Sequence, residues 1–153
     1  MGRWRCVAGG DGCKANAVRE AAIAEGLPAS LVPLPSYWAF RDDFLSEYTR
    51  GQEYIGYYYL WSVESEPVTA ADLPAYIALI PEIDDFIEAL MHGSETDIVI
   101  NESLMTKLLA VIDSERRNTN KTHLIRILNA VENDVLTLAG LTRHEFAELF
   151  LTD

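Results

Sequence analysis

Tyr37, Phe40, Phe44, Tyr48, Gly51, Ile55, Tyr58 and Ser62 recur in steps of three and four. Side chains so spaced line one face of an α-helix or helix pair, whereas a strand needs steps of two. Ten of the chain's fifteen aromatic residues lie between Tyr37 and Trp61. This face is therefore expected to form the centre of the core, with Phe40, Phe44 and Tyr58 buried together. Gly51 interrupts it. Because Gly weakens a helix interior by roughly 1 kcal/mol relative to Ala, it marks a bend or the close approach of another backbone, and a break is expected near Arg50 and Gly51. The tyrosines and tryptophans carry polar tips that need hydrogen-bond partners when buried, so some of these rings should reach the surface.

The rest of the chain repeats the helical period. Lys14 to Glu25 is Ala-rich and is followed by Gly26, a good C-terminal stop. Leu27-Pro28 and Pro33-Leu34-Pro35 read as an extended connector, since each Pro disfavours helix at the residue before it, and Ser36 is placed to cap the aromatic helix. A helix beginning near Thr69 tolerates Pro74 in its first turn but should end or restart at Pro81, leaving Pro81 to Met91 as a separate helix with Ile83, Phe86, Ile87 and Leu90 inward. Asp97 to Ile100 is β-branched but too short for a strand. Asn101 is placed as an N-cap for a helix with Leu104, Leu108, Val111 and Ile112 inward, ending near Ser114 before a polar loop from Glu115 to Asn120. Leu124, Leu128, Val131, Val135 and Leu138 form the longest amphipathic stripe, closed by Gly140, and Thr142 to Glu145 fits a capping box for a last helix carrying Phe146, Leu149 and Phe150. The expected fold is all-α, about seven helices in one irregular orthogonal bundle over 14–153 behind a flexible N-terminal arm over 1–13.

At 153 residues, half of them apolar, the chain suits one domain with one core. No apolar run approaches the roughly 18 residues of a membrane span, and the opening MGRWRCVAGG lacks the long apolar segment of a signal peptide, so the cytoplasm is the expected compartment. The net charge of -12 is unevenly placed. Residues 42–102 hold fourteen acidic side chains against Arg50 alone, while residues 107–126 hold five cations against Asp113 and Glu115. The molecule should be polar end to end. Such an acidic field repels nucleic acid and favours a basic protein partner, or simply keeps a surface solvated.

Phe40-Arg41-Asp42, Leu45, Gly51, the apolar pair Tyr54-Ile55, the run Tyr57-Tyr58-Tyr59 and Ser62 resemble, without a gap, the second half of the CFI-box, a bacterial C-terminal homology domain. The likeness spans 23 residues, from Phe40 to Ser62. The Cys-Phe-Ile opening of that box is missing, since Cys13 is followed by Lys14 and Ala15, and Val63 stands where a Pro usually follows the final Ser. The resemblance implies no activity, because the CFI-box has no assigned chemistry.

No catalytic constellation stands out. The Gly-rich run before Cys13 lacks the Gly-Lys-Ser/Thr of a phosphate loop. Cys6 and Cys13 are two ligands where a closed zinc site needs four, and His92, His123 and His144 lack metal-site spacing, so neither metal nor cofactor is expected. The frequent carboxylates make any acid-base pair a coincidence. The last helix offers too little positive charge to bind DNA. These residues argue against an enzyme without excluding one. The first functional reading is a non-catalytic interaction or regulatory domain whose acidic, aromatic surface between Asp42 and Glu102 takes a basic protein partner. The second is a small-molecule-binding protein or small enzyme, with a pocket lined by Tyr54, Tyr57, Tyr58, Trp61 and Arg41. The Arg41-Asp42 pair is a candidate in either case, as an anchor for a neighbouring helix end or for the tyrosine hydroxyls. Oligomeric state stays open.

Overall fold

A computed structural model describes residues 13–65 and 68–152. Except for Cys13, the arm expected over 1–13 lies outside the described residues. Seven α-helices make up the fold among those residues: α1 (Cys13–Ala24), α2 (Leu34–Ala39), α3 (Thr49–Glu64), α4 (Leu73–His92), α5 (Glu102–Arg117), α6 (Thr122–Leu138) and α7 (Arg143–Phe150). The molecule is all-α, an irregular helical bundle. Its only sheet-like pairing among the described residues is one antiparallel bridge, between Ile98 and Thr142.

The chain punctuation explains most boundaries. Gly26, at φ 87°, closes α1 in a Schellman turn. Its N–H donates to the Ile23 carbonyl at 2.9 Å, and the Leu27 N–H to the Ala22 carbonyl at 2.9 Å. Asn101 caps α5, its side-chain oxygen accepting from the Leu104 N–H at 2.8 Å. Thr142 and Glu145 form the reciprocal capping box of α7.

Three boundaries differ from the expected ones. The connector before the aromatic stretch is helical earlier than its prolines imply: a 3-10 turn spans Ala29–Leu31, and α2 starts at Leu34 with Ser36 inside it rather than capping it. Pro35 stands in the first turn, where its missing N–H has no helical partner to lose. Pro81 does not divide α4, which runs unbroken for 20 residues. An interior Pro costs about 3 kcal/mol, and here both halves offset it by burying apolar side chains, Leu73, Tyr76, Leu79 and Ile80 before it or beside it and Ile87 and Leu90 after it. Finally, α5 continues past Ser114 to Arg117, so Glu115 is helical and not part of a loop.

The core is centred on α4. Leu73, Tyr76, Leu79, Ile80 and Leu90 are packed with Leu104 and Val111 of α5, Leu138 of α6, and Phe146 and Phe150 of α7. A smaller cluster of Ile112, Leu124 and Leu128 lies between α5 and α6, and Trp61 touches both clusters. The aromatic face expected at the centre is instead peripheral: of its eight residues only Gly51 and Ser62 are buried. Phe40 and Phe44 are half-buried and stacked at 5.5 Å, with Phe40 edge-on to Phe86 of α4 at 6.0 Å. Rings tipped with hydroxyls are poorer core than the Leu and Ile of α4, which leave no polar atom to satisfy.

Between α2 and α3 the chain passes through a π-type turn at Phe40–Phe44 and a 3-10 turn at Leu45–Glu47. The break falls at Tyr48, which is extended at φ -126° and ψ 144°. Gly51 lies just inside α3 and is a site of close backbone approach, since a Cβ there would sit 2.0 Å from the Leu45 carbonyl oxygen.

Candidate functional site

The close helix neighbours of α3 are α1 and α6, and a half-open cavity of about 410 Å³ is lined by α3 together with α4 and α5. The cavity wall draws on all six helices from α1 to α6. Helices α4, α5 and α6 contribute aliphatic side chains such as Leu79, Ile83, Leu108, Val111, Leu128 and Val131. The aromatic rings of α2 and α3 line it as well, with Tyr76 and Phe86 of α4. Among the described residues Arg41 and Glu115 are the only charged side chains on the wall.

Tyr54, Tyr57, Tyr58 and Trp61 all face this cavity, and so does Arg41. Their rings brace one another, Tyr54 against Tyr57 at 5.1 Å and Tyr58 against Trp61 at 5.8 Å, both edge to face. Two of the hydroxyls are held in fixed contacts. The Tyr58 hydroxyl accepts the Ala15 N–H at 3.0 Å, near the start of α1. The Tyr54 hydroxyl donates to Asp134 of α6 at 2.5 Å, and Arg50 reaches the same carboxylate oxygen at 2.6 Å. Burial, followed by the Asp134 carboxylate, pushes the Tyr54 hydroxyl well above the ordinary phenol range. Arg50 is further held by Glu53 at 3.1 Å and lies over the Phe150 ring at 4.7 Å, which ties α3 to α6 and α7. With these two hydroxyls engaged, α3 lines the cavity mainly with aromatic carbon.

Asp42 is not on the wall. It is exposed and binds Arg41 at two points, Nε to Oδ1 at 2.6 Å and a second guanidinium nitrogen to Oδ2 at 2.8 Å. That hydrogen-bonded pairing holds the Asp42 carboxyl below the usual carboxylate range. Arg41 is thus largely sheltered, at 12 % side-chain exposure, while Asp42 stands at 57 %.

The wall also holds many residues outside the sequence candidates, and the two of these with a hydrogen bond to each other are Tyr76 of α4 and Glu115 of α5. Glu115 is 5 % exposed, and the Tyr76 hydroxyl donates to its Oε2. Its neighbour Ser114 donates to Asp72 at 2.9 Å, and Asn118 to the other Asp72 oxygen at 2.7 Å, so the end of α5 is stitched to the start of α4. A signal for Glu115 exists in the sequence: Leu104, Leu108, Val111 and Glu115 continue one stripe in steps of four, three and four. Its surroundings of Ser, Arg and Asn disguise it as loop.

The basic stretch expected at one pole is partly neutralised. Lys107 pairs with Glu82 of α4, and Arg116 bridges Asp113 and Glu132 at 2.6 and 2.9 Å. Glu82 and Glu132 are held below the usual carboxylate range by those hydrogen bonds. Among the described residues, no group of three or more His, Cys, Asp and Glu is placed to hold a metal, and no helix is long and apolar enough to cross a membrane.

Asp84 of α4 behaves in the opposite way. Its Oδ1 is buried without a hydrogen-bond partner among the described residues, and burial, then the Asp85 charge, raises its carboxyl above the ordinary 3.8. Tyr37, on the cavity wall, is raised by burial and then by that Asp84 charge. A carboxyl raised in the folded state keeps its proton to higher pH than in the unfolded chain. Its ionisation therefore penalises the fold as pH climbs from about 4 through the raised value, and the penalty persists at neutrality. Asp84→Asn is expected to melt higher than the parent at about pH 7, with the gap closing as pH falls to about 4 or below. Thermal unfolding at the two pH values checks this, and equal midpoints at neutrality would count against it.

Comparison with protein-family models, with curated proteins and with solved structures finds no match.

Proposed function

We propose that this protein binds a small, largely apolar ligand in the cavity between α3 and the α4–α5 pair. The single observation that carries the reading is the cavity itself, about 410 Å³, lined by aromatic and aliphatic side chains with two charged ones among the described residues. Ligand sites commonly occupy about 300–1,000 Å³ and combine apolar walls with a few polar groups in this way. A wall with so few polar groups gives water few partners, and an apolar occupant would cover it.

Trp38 and Trp61 on the wall provide the readout. 2-Phenylethanol is expected to change tryptophan fluorescence saturably and to stabilise the fold, by about 2.7 kcal/mol when the free ligand stands at about 100 times its Kd. Leu108→Phe, which extends a wall side chain into the space, is expected to raise the melting midpoint without ligand and to weaken binding. If no compound of this class shifts the midpoint, or if Leu108→Phe responds like the parent, the pocket reading fails.

A second reading retains the acidic surface as a docking face for a basic protein partner, in a non-catalytic role. It is favoured by the contact of Phe40 with Phe86, which sets the acidic turn after α2 beside α4, with Asp43, Glu47, Asp85 and Glu88 exposed. An oligolysine peptide that binds no better at low than at high salt would remove it. The resemblance to the CFI-box we read as a proposed kinship of the segment from Phe40 to Ser62. Its support is that the pattern's Gly51 and Ser62 are the buried residues of α3 and its Arg41-Asp42 the clamped pair beside the cavity.

A further inference from the structure

Taking the cavity as a ligand site, its shape narrows the class of ligand. The residues that α4 gives the wall are Tyr76, Leu79, Ile80, Ile83, Phe86 and Ile87. Their spacing puts them on a single face of the helix, and at about 1.5 Å per residue that face follows the cavity for about 16 Å. Contacts at its two ends set the same long axis on the neighbouring helices. At the Tyr76 end, the Tyr76 hydroxyl donates to Glu115 of α5, and Trp61 of α3 packs on Ile112 and Leu124. At the Phe86 end, Phe40 meets Phe86 at 6.0 Å, Phe146 joins Phe86 to Phe150, and Phe150 meets Tyr54 at 5.4 Å. The Tyr54 hydroxyl reaches Asp134 at this end too, one helical turn beyond the wall residue Val131 of α6. From Tyr54 to Trp61, α3 therefore runs along the cavity against the direction of α4, and from Leu124 to Val131 α6 runs with it. Between the ends the wall includes Leu79, Ile83, Leu108 and Val111, whose side chains form no hydrogen bonds. A volume of about 410 Å³ drawn out over about 16 Å leaves a section on the order of 25 Å². That is a channel one hydrocarbon chain wide.

We propose that the ligand of this cavity is a linear alkyl or acyl chain, lying extended along α4 between Tyr76 and Phe86. The proposal rests on the pocket reading above and adds the shape of the ligand. An extended chain advances about 1.2 Å per bond, so about thirteen carbons fill the channel. Each methylene is gripped by aliphatic and aromatic carbon, and the gain is dispersion together with area removed from water.

Four neutral alcohols titrated into the full chain by tryptophan fluorescence and isothermal calorimetry decide it: 1-hexanol, 1-octanol, 1-decanol and the cage alcohol 1-adamantanemethanol. Affinity is expected to rise about fourfold per methylene from hexanol to decanol. The cage carries more carbon than hexanol but is wider than the channel, and is expected to bind more weakly than hexanol. Ile83→Trp, which sets a ring across the middle of the channel, should keep hexanol binding and abolish the further gain to decanol. The four parent titrations stand alone should that variant fail to fold. Affinity that levels off after hexanol, a cage that binds more tightly than hexanol, or an Ile83→Trp protein that loses hexanol and decanol alike would overturn the chain in favour of a rounded chamber, and binding of 2-phenylethanol would leave the pocket reading intact. No binding by any probe, 2-phenylethanol included, would overturn both. The source of the chain is read from 1-decanoyl-lysophosphatidylcholine, added below the concentration at which it forms micelles: binding as tight as decanol supports a lipid-borne chain with its headgroup outside, and binding of decanol alone supports a free one.

Discussion

Phe146→Ala is expected to lower the free energy of unfolding by about 3–5 kcal/mol and the melting midpoint by roughly 10–20 °C. Phe146 is only 2 % exposed. It meets Phe86 of α4 edge-on at 6.3 Å and Phe150 at 5.4 Å, so its ring joins the last helix to the central one. Truncation removes that burial and leaves a void that Leu90, itself nearly inaccessible, cannot collapse to fill without moving α4. Phe44→Ala provides the comparison. Phe44 is half-buried, stacked on Phe40 and tilted against Tyr48 at the outer side of the bundle. Its loss should cost roughly 1–2 kcal/mol, in proportion to the smaller area removed from water. Far-UV circular dichroism melts of both variants measure the difference. Equal losses would return the centre of the core to the aromatic stretch and remove α4 from it.

That contrast also marks how far the residues alone can be read. Periodicity located the helices because each buries a stripe, and the stripe Leu124, Leu128, Val131, Val135 and Leu138 coincides with α6. Local chemistry located the caps at Asn101 and Thr142, since a cap is decided by residues within one turn. What is not local is which stripe wins the centre. The aromatic face and α4 both have a helical period, and the choice between them depends on the hydroxyl tips finding Asp134 and the Ala15 N–H, 80 and 43 residues away. Pro81 was unreadable for a similar reason: its backbone cost is local, and the burial that offsets it comes from both ends of a long helix. Among site residues, Tyr54, Tyr57, Tyr58, Trp61 and Arg41 all lie around the cavity, while Asp42 points away from it. Glu115 was hidden because a carboxylate amid polar neighbours looks solvated, and only its register with Leu104, Leu108 and Val111 places it inward.

The aromatic wall depends on how α3 begins, and Gly51 governs that start. Neither Gly51 nor Gly56 has a positive φ, so backbone strain would not oppose Ala at either position. The two differ in space. A Cβ on Gly51 would lie 2.0 Å from the Leu45 carbonyl oxygen and within 3 Å of two further Leu45 backbone atoms, whereas nothing lies within 4 Å of one on Gly56. A flexible side chain could rotate aside, but a carbonyl in a 3-10 turn cannot move without its chain. Gly51→Ala is therefore expected to cost about 3 kcal/mol, the upper part of the range for overpacking. Gly56→Ala, on the exposed side of the same helix, is expected to stabilise by roughly 0.5–1 kcal/mol through helix propensity and a less mobile unfolded chain. Urea unfolding at matched slope measures both. The consequence for binding runs through geometry. Relieving the clash pushes the first turn of α3 away from Leu45, and Tyr54, Tyr57, Tyr58 and Trp61 ride on that helix. Gly51→Ala should thus weaken 2-phenylethanol binding under conditions where the variant remains folded, while Gly56→Ala leaves it unchanged. A Gly51→Ala protein as stable as the parent would mean that α3 and the Leu45 turn are not in this close contact and that Gly51 does not position the wall.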